Sequence, residues 1–233
     1  MPYPIITRRL RTSYLDNRRI RGAILKIASR LAISVAILAL CSCQPKPLPS
    51  GSTLFQDEFR DSASGWQTGA DQAGSVNYQE GWLRFQIAEP QTIKISTPGL
   101  RFSDTRIEVD ATKLDGPDDN HFGVLCRYKD INNFYIFAIS SDGYYGIGKY
   151  SAGNLTWLGA ELMQSHAAIQ QGNSTNHLRV DCTGTNLALS INGQLISLVS
   201  DTGLIEGDVG LIAGSAQTAE VDILFDNFIV TAP

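Results

Sequence analysis

Short strand signals separated by turn residues fill the chain from Leu54 to its C-terminus. Residues 106–112 alternate strictly between polar and apolar side chains, and residues 187–191 alternate between large apolar and small side chains. Both patterns are typical of half-buried β-strands. Asn192-Gly193 follows the second segment and favours a two-residue hairpin. Residues 134–139 are apolar at every position, which indicates a strand covered on both faces. Because such segments recur roughly every 8–12 residues, the pattern predicts an all-β fold, a two-sheet antiparallel β-sandwich.

Helical periodicity is weak along the same stretch. No capped stretch of helical period is longer than about two turns, and residues 161–171 are the one helix candidate. No repeat of fixed length is visible, which argues against a propeller or a solenoid. The 233 residues suffice for one large β domain or two small ones.

Charge divides the chain into a basic leader and an acidic remainder. The whole chain has 19 basic and 23 acidic residues, for a formal net charge of −4. Residues 1–42 contain eight of the basic residues and, among the acidic ones, only Asp16. Residues 43–233 therefore carry 11 basic and 22 acidic residues, a net charge of −11. An acidic domain is a poor candidate for binding nucleic acid, whose phosphates require a basic surface.

The leader has the layout of a bacterial lipoprotein signal peptide. Residues 31–40 form an apolar run of ten, about half the length that a spanning helix needs. The following Leu40-Cys41-Ser42-Cys43 resembles a lipobox. The resemblance implies a signal peptide over 1–42, cleavage before Cys43, lipidation of its thiol, and a Pro- and Ser-rich tether over 43–52.

This layout also predicts where the protein is located. The lipobox resemblance places the mature protein outside the cytoplasm, anchored to the bacterial cell membrane or outer membrane and facing the periplasm or the exterior. The alternative is an uncleaved anchor helix that starts near Ala23. That helix would have to bring Lys26 and Arg30 to the membrane interface, which disfavours it.

Segment 120–150 carries the most specific pattern: a strand that ends in Arg127-Tyr128, a short Asp/Asn loop, a Tyr/Phe-rich strand and a glycine hairpin. This pattern resembles the concanavalin A-like lectin/glucanase jelly roll, and most of all the laminin G-like and 3-keto-disaccharide hydrolase-type domains of secreted bacterial proteins. Residues 55–59 and 224–230 are similar to the paired first and last strands of that family. The resemblance implies a single jelly-roll domain over 53–233. It implies no single activity, because this fold carries enzymes, lectins and adhesion modules.

Cys126 and Cys182 each alternate in phase with the apolar residues of their predicted strands, so both should point toward the core. Such a pair can form a disulfide in an oxidising compartment, which is consistent with an exported domain. Two buried free thiols are the alternative.

One polar strand begins like the catalytic strand of retaining glycosidases of this superfamily, whose motif is Glu-x-Asp-x-x-Glu. Glu108 and Asp110 match its first two positions, but Lys113 stands where the acid/base glutamate belongs. A lysine is a poor proton donor to a glycosidic oxygen, and the mechanism needs two carboxylates. In a regular strand, residue 113 also falls on the opposite face from 108 and 110. A solvated strand face is therefore favoured over a catalytic site, and Glu108 and Asp110 are the only catalytic candidates.

The sequence contains no motif for zinc binding, phosphate binding or a serine nucleophile. His121, His166 and His177 are isolated in the sequence, which disfavours a zinc site. No glycine-rich phosphate loop opens a helix, and no Gly-x-Ser-x-Gly elbow is present.

Two groups of oxygen ligands are candidates for a structural calcium ion, although the fold requires no cofactor. One loop gathers three acids and an amide, which suits a hard cation: Asp115, Asp118, Asp119 and Asn120. The second candidate joins Asp57 from the first strand with Asp226 from the last. The alternatives are an ordinary turn in the first case and local backbone hydrogen bonds in the second.

Aromatic side chains are the remaining functional signal, because sugar rings stack on flat π surfaces. The ligand-binding candidates are Trp66, Arg127, Tyr144, Tyr145 and Trp157. Adjacent tyrosines on one strand point to opposite faces, so that one of Tyr144 and Tyr145 should lie outside. Packing inside the sandwich is the alternative for each aromatic residue.

Three functions fit these features. The favoured one is a monomeric, membrane-anchored lipoprotein whose domain binds a glycan or another envelope polymer without catalysis. The second is a glycosidase or a 3-keto-disaccharide hydrolase-like enzyme. The third is a structural or protein-interaction domain of the envelope.

Overall fold

The computed structural model describes residues 48–233, and these residues contain sixteen β-strands and no helix. In chain order the strands are β1 (Thr53–Asp57), β2 (Gly69–Asp71), β3 (Gly74–Gln79), β4 (Trp82–Ile87), β5 (Ile93–Ser96), β6 (Thr105–Asp115), β7 (Asn120–Asp130), β8 (Asn133–Ile139), β9 (Tyr144–Ser151), β10 (Asn154–Trp157), β11 (Gln164–Ser165), β12 (Thr175–Thr183), β13 (Asn186–Ile191), β14 (Gln194–Ser200), β15 (Asp208–Ser215) and β16 (Val221–Thr231).

The strands form two antiparallel sheets that enclose one core. The nine-stranded sheet has the order β14-β13-β12-β6-β16-β4-β3-β2, with β1 paired to β16. The seven-stranded sheet has the order β10-β9-β8-β7-β15-β5, with β11 paired to β9. The predicted all-β sandwich is confirmed. The helix candidate over 161–171 is wrong, because this segment forms turns around the two-residue strand β11.

Sequence alternation determines which side chains of the nine-stranded sheet enter the core. Strand β6 lies between β12 and β16, and its odd-numbered residues from Thr105 to Lys113 are buried while the even-numbered ones are half-buried. The inward set includes Ile107 and Val109, which are completely buried. The outward residues are polar, so that this sheet has one apolar face and one solvated face.

Strand β8 differs because it is apolar on both faces. Tyr135, Phe137 and Ile139 point into the main core between the sheets. Phe134 and Ile136 belong to a second apolar cluster on the outer face of the seven-stranded sheet. The uninterrupted apolar run at 134–139 therefore indicates the two-sided covering that the structure has.

The hairpin between β13 and β14 forms at the predicted dipeptide. Asn192 and Gly193 both have positive φ, at 52° and 83°, which is the conformation of a type I′ turn. A glycine meets this requirement without strain, and asparagine tolerates it better than most residues.

A disulfide connects the two sheets. Cys126 of β7 and Cys182 of β12 have their sulfur atoms 1.97 Å apart and their Cα atoms 6.8 Å apart. Both residues are completely buried. A cross-link that closes a loop of 56 residues stabilises a fold by about 2–4 kcal/mol, mainly by restricting the unfolded chain.

The leader lies outside the described residues. The signal peptide over 1–42, the lipidation of Cys43 and the first part of the tether over 43–52 therefore stay predictions. Within residues 48–233, no helix is long and apolar enough to span a membrane. The first and last strands pair as the resemblance implies, with Asp57 opposite Phe228.

Candidate functional site

Trp157 lies directly on the backbone of a neighbouring strand. It is the last residue of β10 and is paired with Gly148 of β9. A Cβ atom on Gly146 would lie 2.6 Å from indole Cζ3, and one on Gly148 would lie 3.0 Å from indole Cε3. A side chain on Gly146 would therefore displace the indole, and one on Gly148 would press against it. Trp157 itself is half-buried and keeps part of its ring accessible.

The indole forms one wall of a shallow depression on the outer side of the seven-stranded sheet. The depression has a volume of about 370 Å³. Its apolar lining consists of Tyr144, Trp157, Leu162 and Met163, and its polar lining consists of Asp119, Asn120, Ser140 and Asp142. We refer to this set of eight residues as the Trp157 depression.

A buried amide fixes the polar side of the Trp157 depression. Asn120 Nδ2 donates to the carbonyl of Pro117 at 2.7 Å and to Ser141 Oγ at 3.0 Å. Asn120 Oδ1 accepts from the backbone N–H of Ser141 at 3.1 Å. These bonds join the start of β7 to the β8–β9 hairpin. Ser140 Oγ donates to the carboxylate of Asp142, so the hairpin holds its own hydroxyl and carboxylate in place.

The two adjacent tyrosines of β9 point to opposite faces of the sheet, as the alternation along a strand requires. Tyr144 is 43% exposed and lines the Trp157 depression. Tyr145 is half-buried, packs against the main core, and meets His166 edge to face at 6.1 Å between ring centroids. Tyr144 is therefore the better placed of the two for a ligand on the outer face.

Trp66 does not lie on an open surface. It is buried, and its Nε1–H donates to Asp57 Oδ2 at 3.0 Å. Its ring packs at right angles on Phe228, with 4.9 Å between centroids. The interpretation of Trp66 as a ligand-binding residue is therefore wrong, because the loop turns its indole into the core.

Arg127 is also unavailable to a ligand. It is buried at a bulge in β7, with a positive φ of 52°. Its guanidinium donates to the carbonyls of Ser103 and Leu204 at 3.2 and 2.9 Å, and to Asp104 Oδ1 at 3.1 Å. The bulge directs the side chain inward, so Arg127 joins loops at one end of the sandwich instead of binding sugar.

The catalytic candidates Glu108 and Asp110 lie on the solvated face of the nine-stranded sheet with His177 between them. His177 Nδ1 is 2.7 Å from Asp110 Oδ1, and Nε2 is 3.2 Å from Glu108 Oε2. Asn227 Nδ2 donates to the other oxygen of Asp110 at 2.8 Å. Partial burial lowers the pKa of His177, but the hydrogen bonds and charges of both carboxylates outweigh it and raise that pKa overall.

The third position of the glycosidase motif carries no carboxylate, although Asp226 of β16 lies opposite Asp110 on the same face. Lys113 is 3% exposed, points to the opposite face from Glu108 and Asp110, and pairs with Asp118. The bulge that β6 has lies at Leu114, beyond Lys113, so residue 113 stays on the buried face. Sequence reasoning missed the role of His177, because only the β6–β12 register places it opposite Asp110.

The calcium candidates do not form an open shell of oxygen ligands. Asp57 accepts from Ser64 Oγ, from Trp66 Nε1 and from the N–H of Phe59. Partial burial raises the pKa of Asp226, as do the charges of Asp110 and Glu58, against a hydrogen bond from the N–H of Asn227.

The other calcium candidate, the loop over residues 115–120, also has its oxygen ligands engaged by other groups. Asp118 pairs with Lys113, Asp115 accepts from the N–H of Gly116 at 2.8 Å, and Asn120 forms the bonds described above. Across residues 48–233, no three His, Cys, Asp or Glu side chains converge as a metal site would require. A calcium ion at either position stays a prediction, and Asp119 lines the Trp157 depression.

A second depression, of about 530 Å³, lies at the other end of β7. Arg101 and Glu206 line it and form an ion pair with each other. Tyr128 is its one aromatic residue. The Trp157 depression is the more suitable for a sugar, because it combines two aromatic rings with polar side chains.

Comparisons with known proteins agree with this architecture. No family model matches the chain, and no curated protein matches its sequence. Among solved structures, the carbohydrate binding module CBM66 from Bacillus subtilis superposes with a TM-score of 0.60 at 18% identity, over 72% of this chain and 96% of that one. A Bacillus subtilis protein of unknown function with a galectin-like fold gives 0.60 at 13% identity, over 78% and 96%. The domain therefore has a concanavalin A-like jelly-roll fold.

The same jelly roll also occurs inside larger proteins. The GH43 BlXynB protein from Bacillus licheniformis gives a TM-score of 0.57 at 14% identity, over 81% of this chain and 41% of that one. Identities this low establish the shared fold alone. The function of this jelly roll has to be argued from its own residues.

Proposed function

We propose that this jelly roll binds a neutral glycan, or a comparable uncharged envelope polymer, without catalysis. The observation that carries the proposal is the indole of Trp157, which rests on Gly146 and Gly148 beside the exposed Tyr144. Two aromatic rings at the edge of one open depression suit the C–H faces of successive sugar rings. The shared fold with CBM66 and with GH43 proteins supports a carbohydrate ligand.

The polar lining of the depression favours a neutral ligand. Asp119, Ser140 and Asp142 present oxygen acceptors for sugar hydroxyls. None of the eight lining residues is cationic, and residues 43–233 carry a net charge of −11. A polymer of uronic acids would therefore meet repulsion at the site and around it.

We propose further that Cys43 anchors this domain to a bacterial membrane, outside the cytoplasm. The lipobox-like Leu40-Cys41-Ser42-Cys43 and the ten-residue apolar run support the anchor. The disulfide between Cys126 and Cys182 supports an oxidising compartment. Mass spectrometry of the membrane-extracted protein should give a lipid-modified N-terminal Cys43, and Cys43→Ala should leave the precursor unprocessed. An intact Met1 in the membrane fraction would contradict the anchor.

A glycan array tests the ligand class. Residues 48–233 enclose a complete core and can be produced without the leader. We expect this domain to bind neutral oligosaccharides, equally well with calcium and with a chelator, and Trp157→Ala to lose that binding. Trp82→Ala is the matched control, because Trp82 is also half-buried but belongs to the nine-stranded sheet. Uniformly blank arrays would contradict the proposal.

The enzyme alternative is tested on the same glycans. Incubation of each bound glycan with the domain, followed by chromatography of the products, should show no cleavage. Cleavage that disappears in both Glu108→Gln and Asp110→Asn would replace the binding proposal by a catalytic one.

A further inference from the structure

A groove opens into the sandwich next to the Trp157 depression. Strand β10 ends at Trp157, and the chain pairs with β9 again only at Gln164 of β11. Between these two positions, residues 159–163 bend away from β9 and leave an opening of about 290 Å³. Strand β9 of one sheet and residues 196–199 of β14, in the other sheet, line this opening. We refer to it as the intersheet groove.

Apolar side chains that pack in the main core form the floor of the intersheet groove. They are Tyr145, Ile147, Leu158, Ile196 and Val199. Among the described residues, the thirteen that line the groove include no charged side chain. An apolar cavity of about 150 Å³ accommodates a benzene ring. The groove therefore has room for several methylene groups.

Gly159 holds the outer wall of the intersheet groove in place. Its φ is 78°, a left-handed conformation that favours glycine. A Cβ atom at this position would lie only 2.8 Å from Val199 Cγ1. The bend over residues 159–163 is therefore packed directly against β14. The groove belongs to the folded domain and does not depend on a ligand for its shape.

The intersheet groove and the Trp157 depression share a wall. Trp157 and Leu162 line both of them, and Leu162 is 72% exposed. On one side of this wall the Trp157 depression presents the carboxylates of Asp119 and Asp142. On the other side the groove presents core side chains without charge. A ligand that lies over the indole therefore meets a polar wall at one end and an apolar one at the other.

We propose that the site takes a neutral glycoside that carries an apolar chain, as a glycolipid does. The sugar rests in the Trp157 depression, and the first methylene groups of the chain enter the intersheet groove. The proposal rests on the proposed glycan binding and narrows it to amphiphilic ligands. Its affinity comes from apolar chain surface that leaves water in the groove. A fatty acid is a poorer ligand, because none of the described residues that line either cavity is cationic.

Calorimetric titration of residues 48–233 with alkyl glycosides tests the proposal. The probes are the methyl and octyl glycosides of glucose, galactose and mannose in the β configuration, below the concentration at which micelles form. Each buried methylene group raises affinity by about fourfold. We therefore expect the octyl glycoside of the preferred sugar to bind at least about tenfold more tightly than its methyl glycoside. 1-Octanol, which lacks the sugar, should bind at least about tenfold more weakly than that octyl glycoside.

A variant that fills the groove locates the chain. Ser197 is half-buried, lines the groove and is paired with the buried Leu189, so its side chain points between the sheets. Ser197→Phe should reduce the ratio of octyl to methyl affinity to about one. Ser190→Phe is the matched control and should keep the ratio, because Ser190 is a half-buried serine on the outer face of the same sheet. Thermal melting shows whether each variant is folded, and the chain-length comparison in the unchanged domain decides the proposal if Ser197→Phe is not.

The outcomes separate this proposal from glycan binding itself. Methyl glycosides that bind as tightly as their octyl counterparts overturn the proposal and leave glycan binding in place. A gain in affinity that a folded Ser197→Phe variant retains also overturns it, because the chain then binds elsewhere. So does 1-octanol that binds as tightly as the octyl glycosides, because the sugar then plays no part. Absence of binding by all six glycosides, together with a blank glycan array, contradicts both proposals.

Discussion

The outer faces of the two sheets differ although their strands have the same period of two. On the nine-stranded sheet, ion pairs such as Arg106–Asp181 and the His177 cluster (His177 with Glu108 and Asp110) cover the outer face. On the seven-stranded sheet, a second apolar layer occupies the outer face and ends at Trp157. A solvated face tolerates substitution, whereas an apolar layer has to be packed. In the proposed function, the seven-stranded sheet carries the ligand and the nine-stranded sheet supports it.

The largest difference between the faces should appear in stability. Phe134 is completely buried and stacks on Tyr150, with 4.4 Å between ring centroids. We expect Phe134→Ala to lower the free energy of unfolding by about 3–5 kcal/mol, because it removes a large ring from a packed layer. Glu108→Ala on the solvated face should cost less than about 1 kcal/mol. Equal urea midpoints for the two variants would show that the outer apolar layer is not packed.

A smaller effect should appear in binding. Gly146→Val places a Cβ only 2.6 Å from indole Cζ3 and therefore displaces Trp157. We expect this change to weaken glycan binding by about tenfold or more, equivalent to about 1.4 kcal/mol. Gly69→Val is the control, because the position of its Cβ in β2 is open. Full binding by Gly146→Val on the same array would exclude the indole as the contact surface.

The smallest effect should appear in the pH dependence of stability. The raised pKa of His177 means that its charged form is stabilised in the folded protein. The stabilisation is complete below the ordinary histidine value of about 6.5 and is lost as the pH rises through the raised pKa. We therefore expect His177→Gln to lower the melting temperature more at about pH 5 than at about pH 9. His166→Gln, outside the cluster, is the control. The same loss at both pH values would exclude the charged pairing.

The sequence predicts the fold well because strand parity is a local property. Alternation at 106–112, the uninterrupted apolar run at 134–139 and the Asn192-Gly193 turn each correspond to a strand or hairpin of the structure. Parity also places Cys126 and Cys182 in one core, although it does not say whether they are oxidised. The misassigned helix at 161–171 lacks a strong period of either kind, so turn geometry decided its structure.

The candidate site was less accessible to sequence reasoning because register and bulges are not local. Trp66 and Arg127 enter the core through a loop and a bulge that no pattern marks. Trp157 was one aromatic candidate among several until the β9–β10 register placed it on Gly146 and Gly148. The alternating glycines of β9 were the available signal for the position of Trp157. A strand with glycines along one face has no side chains there, which leaves space for an aromatic ring.

Nuclear magnetic resonance tests the central claim most directly, with the neutral oligosaccharide that binds most tightly on the array as the probe. A sugar stacked on the indole of Trp157 experiences the ring current, so its C–H protons should shift upfield when residues 48–233 are added. The account expects this shift to persist in Trp82→Ala and to vanish in Trp157→Ala. Upfield shifts that survive in a folded Trp157→Ala variant would contradict the account.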